Sequence, residues 1–169
     1  MKRIDIIRGD IITARVDVIV NAANRELIPG GGVDGAIHRV AGPQLEHEVH
    51  QHVPLEIGEV VITSGYHLPS RYVMHVVGPK WYDYSNQEDA KEFLRKTYQA
   101  ILNALLEQGY TSIAIPNIST GVYGFPKEEA VKIVYEVMLH NESRLKEHHK
   151  VYFYCFDEVN YLLYRNVLD

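Results

Sequence analysis

Two glycine-rich segments of this chain have the composition of phosphate-binding loops. The first, Gly30-Gly31-Gly32-Val33-Asp34-Gly35, has the spacing G-x-G-x-x-G and lies between an apolar run and a helical pattern. The second, Asn117 to Pro126, combines two glycines with the hydroxyl groups of Ser119 and Thr120. Backbone N–H groups at strand-to-helix turns bind phosphate. Each loop alone is equally well explained as a tight turn that needs glycine, but two of them in one small chain favour a shared ligand site.

Two polar side chains accompany the first loop. Asn24 ends the small-residue segment Asn21-Ala22-Ala23-Asn24, and its amide can donate to and accept from a sugar hydroxyl. Asp34 adds a negative charge beside a phosphate site, which is unfavourable unless the carboxylate has a use such as orienting a water. The ordinary alternatives are a turn asparagine and a helix-capping aspartate.

The first loop also raises the alternative of a dinucleotide oxidoreductase. In a Rossmann unit the strand runs almost directly into the first glycine. Here the residues from Asn24 to Pro29 intervene between the strand and the loop, which disfavours that alternative.

Strand and helix patterns alternate along the whole chain and would position these loops. Strands are predicted at residues 3–7, 16–22, 59–63, 72–77, 112–116 and 151–156. Helices are predicted at 33–41, 44–52, 87–108 and 126–140, with a last helix capped by Asp157 and ending near Val167. The first helix places Val33, Ile37, Val40 and Ala41 on one face. The pattern predicts an α/β fold with three α/β/α layers and a mixed sheet, in one domain over residues 1–169.

Composition narrows the class of protein. The chain has 169 residues, 46% of them hydrophobic, and a formal net charge of −5, which makes nucleic acid an unlikely partner. Cys155 is the only cysteine, so neither a disulfide nor a cysteine zinc site is expected. The sequence shows neither a secretory signal nor a bilayer-spanning apolar run, and a cytoplasmic location without a membrane partner is therefore expected.

The histidines do not predict a metal site. His47 and His50 lack the spacing and the companion ligands of known zinc motifs, so a solvated polar face is favoured over metal ligation. His75 lies in a predicted strand and is expected to be a hydrogen-bonded core histidine rather than a catalytic base.

Five segments, taken together and in order, resemble the macrodomain family and most closely its MacroD-type branch. They are Gly9 to Ile12, Val20 to Asn24, Gly30 to His38, Val77 to Pro79 and Ser119 to Pro126. The resemblance covers nearly the whole chain and implies a macrodomain that binds ADP-ribose without a cofactor.

The resemblance also implies which residues bind the ligand. Asp10, in the same segment as Ile11, would contact the adenine amino group, and Phe156 would stack on the adenine. Tyr123 and Phe125 would wall the distal ribose. The diphosphate would be held by backbone N–H groups of two segments, which comprise Gly30, Gly31, Gly32 and Val33, and Ser119, Thr120, Gly121, Val122 and Tyr123. Phosphate charge would then be met by dipoles rather than by Lys or Arg.

In the hydrolytic branch, the residues matching Asn24 and Asp34 position the distal ribose and a water that attacks its anomeric carbon. The resemblance thus implies a mono-ADP-ribosyl hydrolase that releases ADP-ribose from acidic side chains of modified proteins and also deacetylates O-acetyl-ADP-ribose. The alternative is a module that binds ADP-ribose without cleaving it. The modified proteins are the expected partners, and a monomer is the default.

Two stretches depart from the MacroD-type pattern. Residues 52–58 (His-Val-Pro-Leu-Glu-Ile-Gly) stand where a Cys-Pro-Thr-Gly-like stretch is usual. That stretch is expected to lie away from the ribose contacts, so altered loop packing and altered substrate preference are expected rather than loss of binding. Arg25 to Pro29 is bulkier and more charged than usual, and this rim is expected to select the protein partner.

Overall fold

A six-stranded sheet forms the centre of the computed structural model, which describes residues 1–169. The strands are β1 (Ile4–Arg8), β2 (Val18–Ala23), β3 (Val61–Ser64), β4 (Tyr72–Val77), β5 (Ser112–Pro116) and β6 (Lys150–Cys155). Their order is β1-β6-β5-β2-β4-β3, and only the edge pair β3–β4 is antiparallel. The sheet is therefore mixed, as predicted, and every predicted strand is present.

Five α-helices connect the strands. They are α1 (Gly32–Ala41), α2 (Pro43–His50), α3 (Gln87–Glu107), α4 (Lys127–His140) and α5 (Glu158–Leu168). Asp157 caps α5 as predicted, because its carboxylate accepts from the Asn160 N–H at 2.7 Å. Pro126 precedes α4 as its N-cap instead of opening it, and α2 ends two residues before its predicted end. Three short 3-10 helices, Ile11–Thr13, Trp81–Asp83 and Glu142–Arg144, were not predicted.

Helices cover both faces of the sheet, which confirms the three-layer architecture. Val18 and Val20 of β2 belong to the core shared with α3, α4 and α5, whereas Ile19 between them packs with α1 and α2. Such alternation is what a strand buried on both faces requires.

Val40 does not share the buried side of the helix face on which it was predicted. Val40 of α1 is 36% exposed, because the buried stripe of this helix runs through Asp34, Ile37 and Ala41 and leaves Val40 to one side. None of the helices combines the length and the apolar character needed to cross a lipid bilayer.

The parallel strands bring the predicted loops to one edge of the sheet. β1, β6, β5, β2 and β4 all run in the same direction, so the segments that follow them emerge side by side. In open α/β sheets the carboxyl edge is where ligands bind. The fold therefore places both glycine-rich loops at the edge where a common ligand can reach them.

Candidate functional site

A cleft of about 460 Å³ at this carboxyl edge contains most of the predicted ligand residues. Seven predicted residues line it, namely Asp10, Ile11, Gly32, Val33, Thr120, Gly121 and Phe156. A larger cavity of about 600 Å³ lies between α3 and α4, but no predicted residue lines it and it is remote from the strand ends. The cleft is the better candidate because it combines the strand ends with helix N-termini.

One end of the cleft suits a planar base that carries an amino group. Phe156 directly follows β6 and is 70% exposed, so its ring is open to stacking. Asp10 caps the short helix Ile11–Thr13 by accepting from the Ile12 N–H at 3.2 Å with one carboxylate oxygen. The other oxygen makes no hydrogen bond within the protein and is free to accept from a ligand.

The first loop presents N–H groups at the N-terminus of α1. Gly32 and Val33 are the first residues of the helix, so their N–H groups have no intrahelical acceptor. The Gly30 N–H is not free, because it donates to Asp34 Oδ2 at 2.7 Å. The expectation that Gly30 offers its N–H to phosphate is thereby corrected.

Two cations line the cleft together with the carboxylates of Asp10 and Asp157, and the expectation that dipoles meet the phosphate charge stays a prediction. Arg39 projects from α1, and Lys127 begins α4 with its Nζ 3.6 Å from the Asp157 carboxylate. Neither residue stood out in the sequence, since each lies among the polar residues of a helix. The charged residues of the cleft lining are therefore balanced, two cations against two carboxylates.

The second loop is fixed by close packing against the segment after β4. A Cβ at Gly78 would overlap Ser119 Oγ and lie 2.5 Å from Ile118 Cγ2, so glycine is needed for this approach. The Ser119 side chain is accordingly buried and faces Gly78, while Val122 at the loop tip is fully exposed. The contribution of Ser119 to a ligand is therefore limited to its backbone.

Phe125 does not line the site predicted for the distal ribose. It is 1% exposed, and its ring packs edge-on against Trp81 with the centroids 4.8 Å apart. The Trp81 N–H also donates to the Tyr123 carbonyl at 2.9 Å. Phe125 thus anchors the second loop from the core, and Tyr123 is the aromatic residue of this loop that faces a cavity.

A second cavity of about 180 Å³ lies at the far end of the two loops, where Asn24 and Tyr123 both line it. Leu55 and Ile57 line the same cavity. The Leu55 N–H donates to the Arg25 carbonyl at 2.9 Å, which ties the segment to the turn after Asn24. The expectation that residues 52–58 lie away from this end of the site is therefore wrong.

Asn24 and Asp34 converge on Gly30. A Cβ at Gly30 would lie 3.4 Å from Asp34 Oδ2 and 3.6 Å from Asn24 Nδ2. Asn24 also braces the turn, because its Nδ2 donates to the Ile28 carbonyl at 2.7 Å and its Oδ1 accepts from the Ile28 N–H at 3.1 Å. One amide proton and one lone pair of Asn24 remain for a ligand.

Asp34 is a buried carboxylate held by several donors. It is 5% exposed, and its Oδ1 accepts from Asn21 Nδ2 at 2.7 Å and lies 3.4 Å from His38 Nε2. Burial raises the pKa of Asp34, but hydrogen bonds from His38, Asn21 and the Gly30 N–H outweigh burial and hold the pKa below its ordinary value. Asp34 is therefore ionised at neutral pH.

His38 belongs to this site but was not predicted as a member. It follows Asp34 by four residues on α1, and this spacing brings two side chains to the same helix face. The i, i+4 relation was therefore a usable signal in the sequence.

His75 is a hydrogen-bonded core histidine, as predicted. Its Nδ1 lies 3.2 Å from Asn21 Nδ2 and its Nε2 lies 2.9 Å from Thr63 Oγ1. Because the Asn21 amide donates, Nδ1 accepts and the ring proton resides on Nε2. Burial lowers the pKa of His75 to about 3, so the ring is neutral. It accepts a hydrogen bond from the Asn21 amide, which also donates to Asp34.

Comparison with known proteins agrees with this geometry. A family model described as "Macro domain" matches residues 20–134. An O-acetyl-ADP-ribose deacetylase of Escherichia fergusonii is 46% identical over 171 residues, which cover 98% of this chain and 95% of the relative. O-acetyl-ADP-ribose deacetylase 1 of Pantoea vagans is 42% identical over the whole of both chains.

Solved structures show the same fold. The Oceanobacillus iheyensis macrodomain with ADP aligns with a TM-score of 0.89 at 39% identity and covers 98% of this chain and 89% of that chain. The Trypanosoma brucei macrodomain in complex with ADP-ribose aligns with a TM-score of 0.90 at 38% identity and covers 99% and 70%, respectively. The fold and the family predicted from the sequence are therefore confirmed, and the chain belongs to the macrodomain family.

Proposed function

We propose that this macrodomain is a hydrolase of ADP-ribose esters, which releases ADP-ribose from acidic side chains of mono-ADP-ribosylated proteins and also deacetylates O-acetyl-ADP-ribose. The observation that carries the proposal is the convergence of Asn24, which lines the second cavity, and the ionised Asp34 on Gly30. The names of the bacterial relatives, O-acetyl-ADP-ribose deacetylases, support the same class of reaction.

The ligand extends along the carboxyl edge of the sheet. Adenine stacks on Phe156 and donates its amino group to Asp10, and the diphosphate lies between the N-terminus of α1 and the second loop. Arg39 and Lys127 supply positive charge nearby. The distal ribose then reaches Asn24 and Tyr123, whose side chains line the second cavity.

Release of ADP-ribose from an acidic side chain requires a water beside the anomeric carbon of this ribose. The water oxygen forms a bond to the anomeric carbon while the bond to the ester oxygen breaks, and the acyl group leaves as a carboxylate with that electron pair. One proton of the water passes to the nearest base, Asp34 or the substrate diphosphate, and then to solvent. Asp34 is a weak base because its pKa is lowered, so its larger contribution is to orient the water and stabilise positive charge on the ribose.

Release of ADP-ribose from a modified protein tests this proposal. An automodified, labelled ADP-ribosyltransferase is incubated with wild type, Asn24→Ala or Asp34→Ala, and protein-bound label is followed over time. We expect wild type to release the label and each variant to be slower by about 100-fold or more, since each loses a group that positions the reacting atoms.

The exposed carboxylate Asp89 on α3 provides the matched control, and Asp89→Ala should retain the wild-type rate. Binding of free ADP-ribose by wild type without any release of label would refute the enzyme and leave a module that only binds ADP-ribose. The cytoplasmic location, the monomer, the absence of nucleic acid and the single domain over residues 1–169 stay predictions.

A further inference from the structure

The second cavity has an apolar floor and a charged mouth. Leu55, Ile57 and Val77 supply aliphatic side chains to its lining, and Leu55 and Val77 are themselves buried. Its volume of about 180 Å³ is close to that of a cavity that holds one benzene molecule, about 150 Å³. A group of about six non-hydrogen atoms therefore fits, and its apolar part can lie against these three aliphatic side chains.

The cavity opens where the proposed reaction takes place. Asn24 lines it and lies beside Gly30 and Asp34, while Tyr123 lines it from the second loop. The cleft for the diphosphate ends on the other side of these loops, at Gly32 and Thr120. A group attached to the distal ribose and directed away from the diphosphate would therefore enter this cavity.

Lys80 is the cation of this cavity that has no carboxylate partner. Its Nζ lies 5.3 Å from the centroid of the Tyr123 ring, and no carboxylate oxygen lies within 4.0 Å of it. Arg25 differs, since its guanidinium lies 2.5 Å from the Glu56 carboxylate. The remaining charged groups that line the cavity are Glu26 and Asp83.

We propose that this cavity binds the acyl group of the substrate, that it is sized for short acyl chains, and that Lys80 pairs with the acyl carboxylate as it forms. This inference rests on the proposed function. Ester hydrolysis adds the water oxygen, breaks one ester carbon–oxygen bond, releases one proton and frees the acyl group as a carboxylate. No oxidant or further reactant is required, whichever of the two ester bonds breaks.

The charges suit a group that becomes negative only during the reaction. The bound ester is neutral, so it meets no repulsion from Glu26 and Asp83 and adds its acyl chain to the apolar floor. As the carboxylate forms, the unpaired Lys80 ammonium attracts it and can donate a charge-assisted hydrogen bond to it. The two acidic residues then disfavour retention of the anion and promote its release.

A series of acyl esters of ADP-ribose tests the inference. Acetyl, butyryl and octanoyl esters are compared by kcat/KM for wild type, Ile57→Ala and Lys80→Met, with the Kd of ADP-ribose measured in parallel. For wild type we expect similar values for acetyl and butyryl and a fall of at least about tenfold for octanoyl, equal to about 1.4 kcal/mol.

The two variants separate the effect of cavity size from the effect of the Lys80 charge. Ile57→Ala enlarges the floor and should raise the octanoyl-to-acetyl ratio by about tenfold. Lys80→Met keeps the length of the side chain and should lower kcat for every ester by about tenfold with an unchanged ADP-ribose Kd. Lys132→Met on the exposed face of α4 is the control for removal of a lysine, and it should match wild type.

A wild-type rate that is the same for all three esters, or Lys80→Met with an unchanged kcat, would overturn the acyl subsite while leaving the hydrolase intact. Failure of wild type to cleave any ester, with ADP-ribose still bound, would instead refute the proposed function and the subsite with it. The two failures are thus distinguishable in a single data set.

Discussion

At the residue scale, the site depends on one buried carboxylate and on the groups that hold it. Asn21 bonds both Asp34 and His75, and His75 bonds Thr63 of the edge strand β3. Such a chain of donors lets Asp34 remain ionised although it is almost fully buried. The carboxylate is therefore positioned by the sheet itself.

His75 makes the stability of the protein dependent on pH. Its pKa is about 3 in the folded protein against an ordinary 6.5, so only the unfolded chain binds the proton between these values and stability falls as the pH drops below 6.5. From pH 6.5 to pH 5 this residue alone should cost about 2 kcal/mol.

Urea unfolding at pH 7 and pH 5 tests this dependence against His75→Gln, which does not titrate. The variant should be less stable than wild type at pH 7, and the gap should narrow at pH 5. A gap that is the same at both pH values would show that His75 is not buried in its neutral form.

Phe156 should contribute to ligand binding without contributing much to folding. Its ring is 70% exposed, so Phe156→Ala removes little buried surface and should leave the free energy of unfolding nearly unchanged. Loss of a stacking aromatic costs about 1–3 kcal/mol, and ADP-ribose should bind about tenfold to a hundredfold more weakly by calorimetry. Phe156→Tyr, which keeps the stacking face, should bind like wild type. Equal affinities of wild type and Phe156→Ala would show that the adenine does not bind at this end of the cleft.

At the element scale, the segment after β4 supports both the cleft and the second cavity. Gly78 contacts the second loop, Trp81 packs on Phe125, and Lys80 and Tyr84 line the cavity. These contacts determine where the second loop lies. The role of the segment after β4 is therefore to hold the loop that binds the ligand.

Gly78→Ala tests this support. The added Cβ would overlap Ser119 Oγ, so the second loop must shift, and overpacking of this kind costs about 1–3 kcal/mol. We expect a lower melting temperature and weaker ADP-ribose binding. Gly121→Ala is the control for stability, because a Cβ there meets no atom within 4 Å. Equal melting temperatures for the two variants would contradict the close approach of Gly78 to Ser119.

The sequence alone was sufficient to predict strands and helices whose residue pattern lies within the element itself. β2 was predicted because it is apolar on both faces, and α5 because Asp157 is a typical cap. The short helix Ile11–Thr13 was missed because three residues carry no periodicity. Val40 was misplaced because the packed stripe of α1 is narrower than its run of apolar residues.

Site residues that lie beside a sequence motif were predicted, whereas residues that only tertiary packing brings to the site were missed. Asn24 and Asp34 flank the first loop, so their convergence followed from the fold. Lys80 lies on the segment after β4, and Arg39 lies at the far end of α1 outside the motif, so both were missed. Phe125 was assigned to the ligand because the family resemblance implied it, whereas Trp81, which packs against it in the core, lies 44 residues earlier in the sequence.

At the scale of the whole molecule, a chain with a net charge of −5 is proposed to bind a doubly charged diphosphate. The parallel strands bring the N-terminus of α1, the second loop and two cations to one edge, where helix and loop N–H groups can meet negative charge although the protein is acidic. The same edge presents a second cavity where the ester bond would lie. The proposed binding and cleavage would thus take place at neighbouring parts of one surface.

The most direct test of the proposed hydrolysis is the fate of oxygen when a mono-ADP-ribosylated protein reacts in water enriched in the heavy oxygen isotope. Attack on the anomeric carbon should free the acidic side chain with both of its original oxygens, which mass spectrometry of the released protein can establish. Modified protein that persists intact while free ADP-ribose binds, or a side chain that gains a heavy oxygen, would contradict the account.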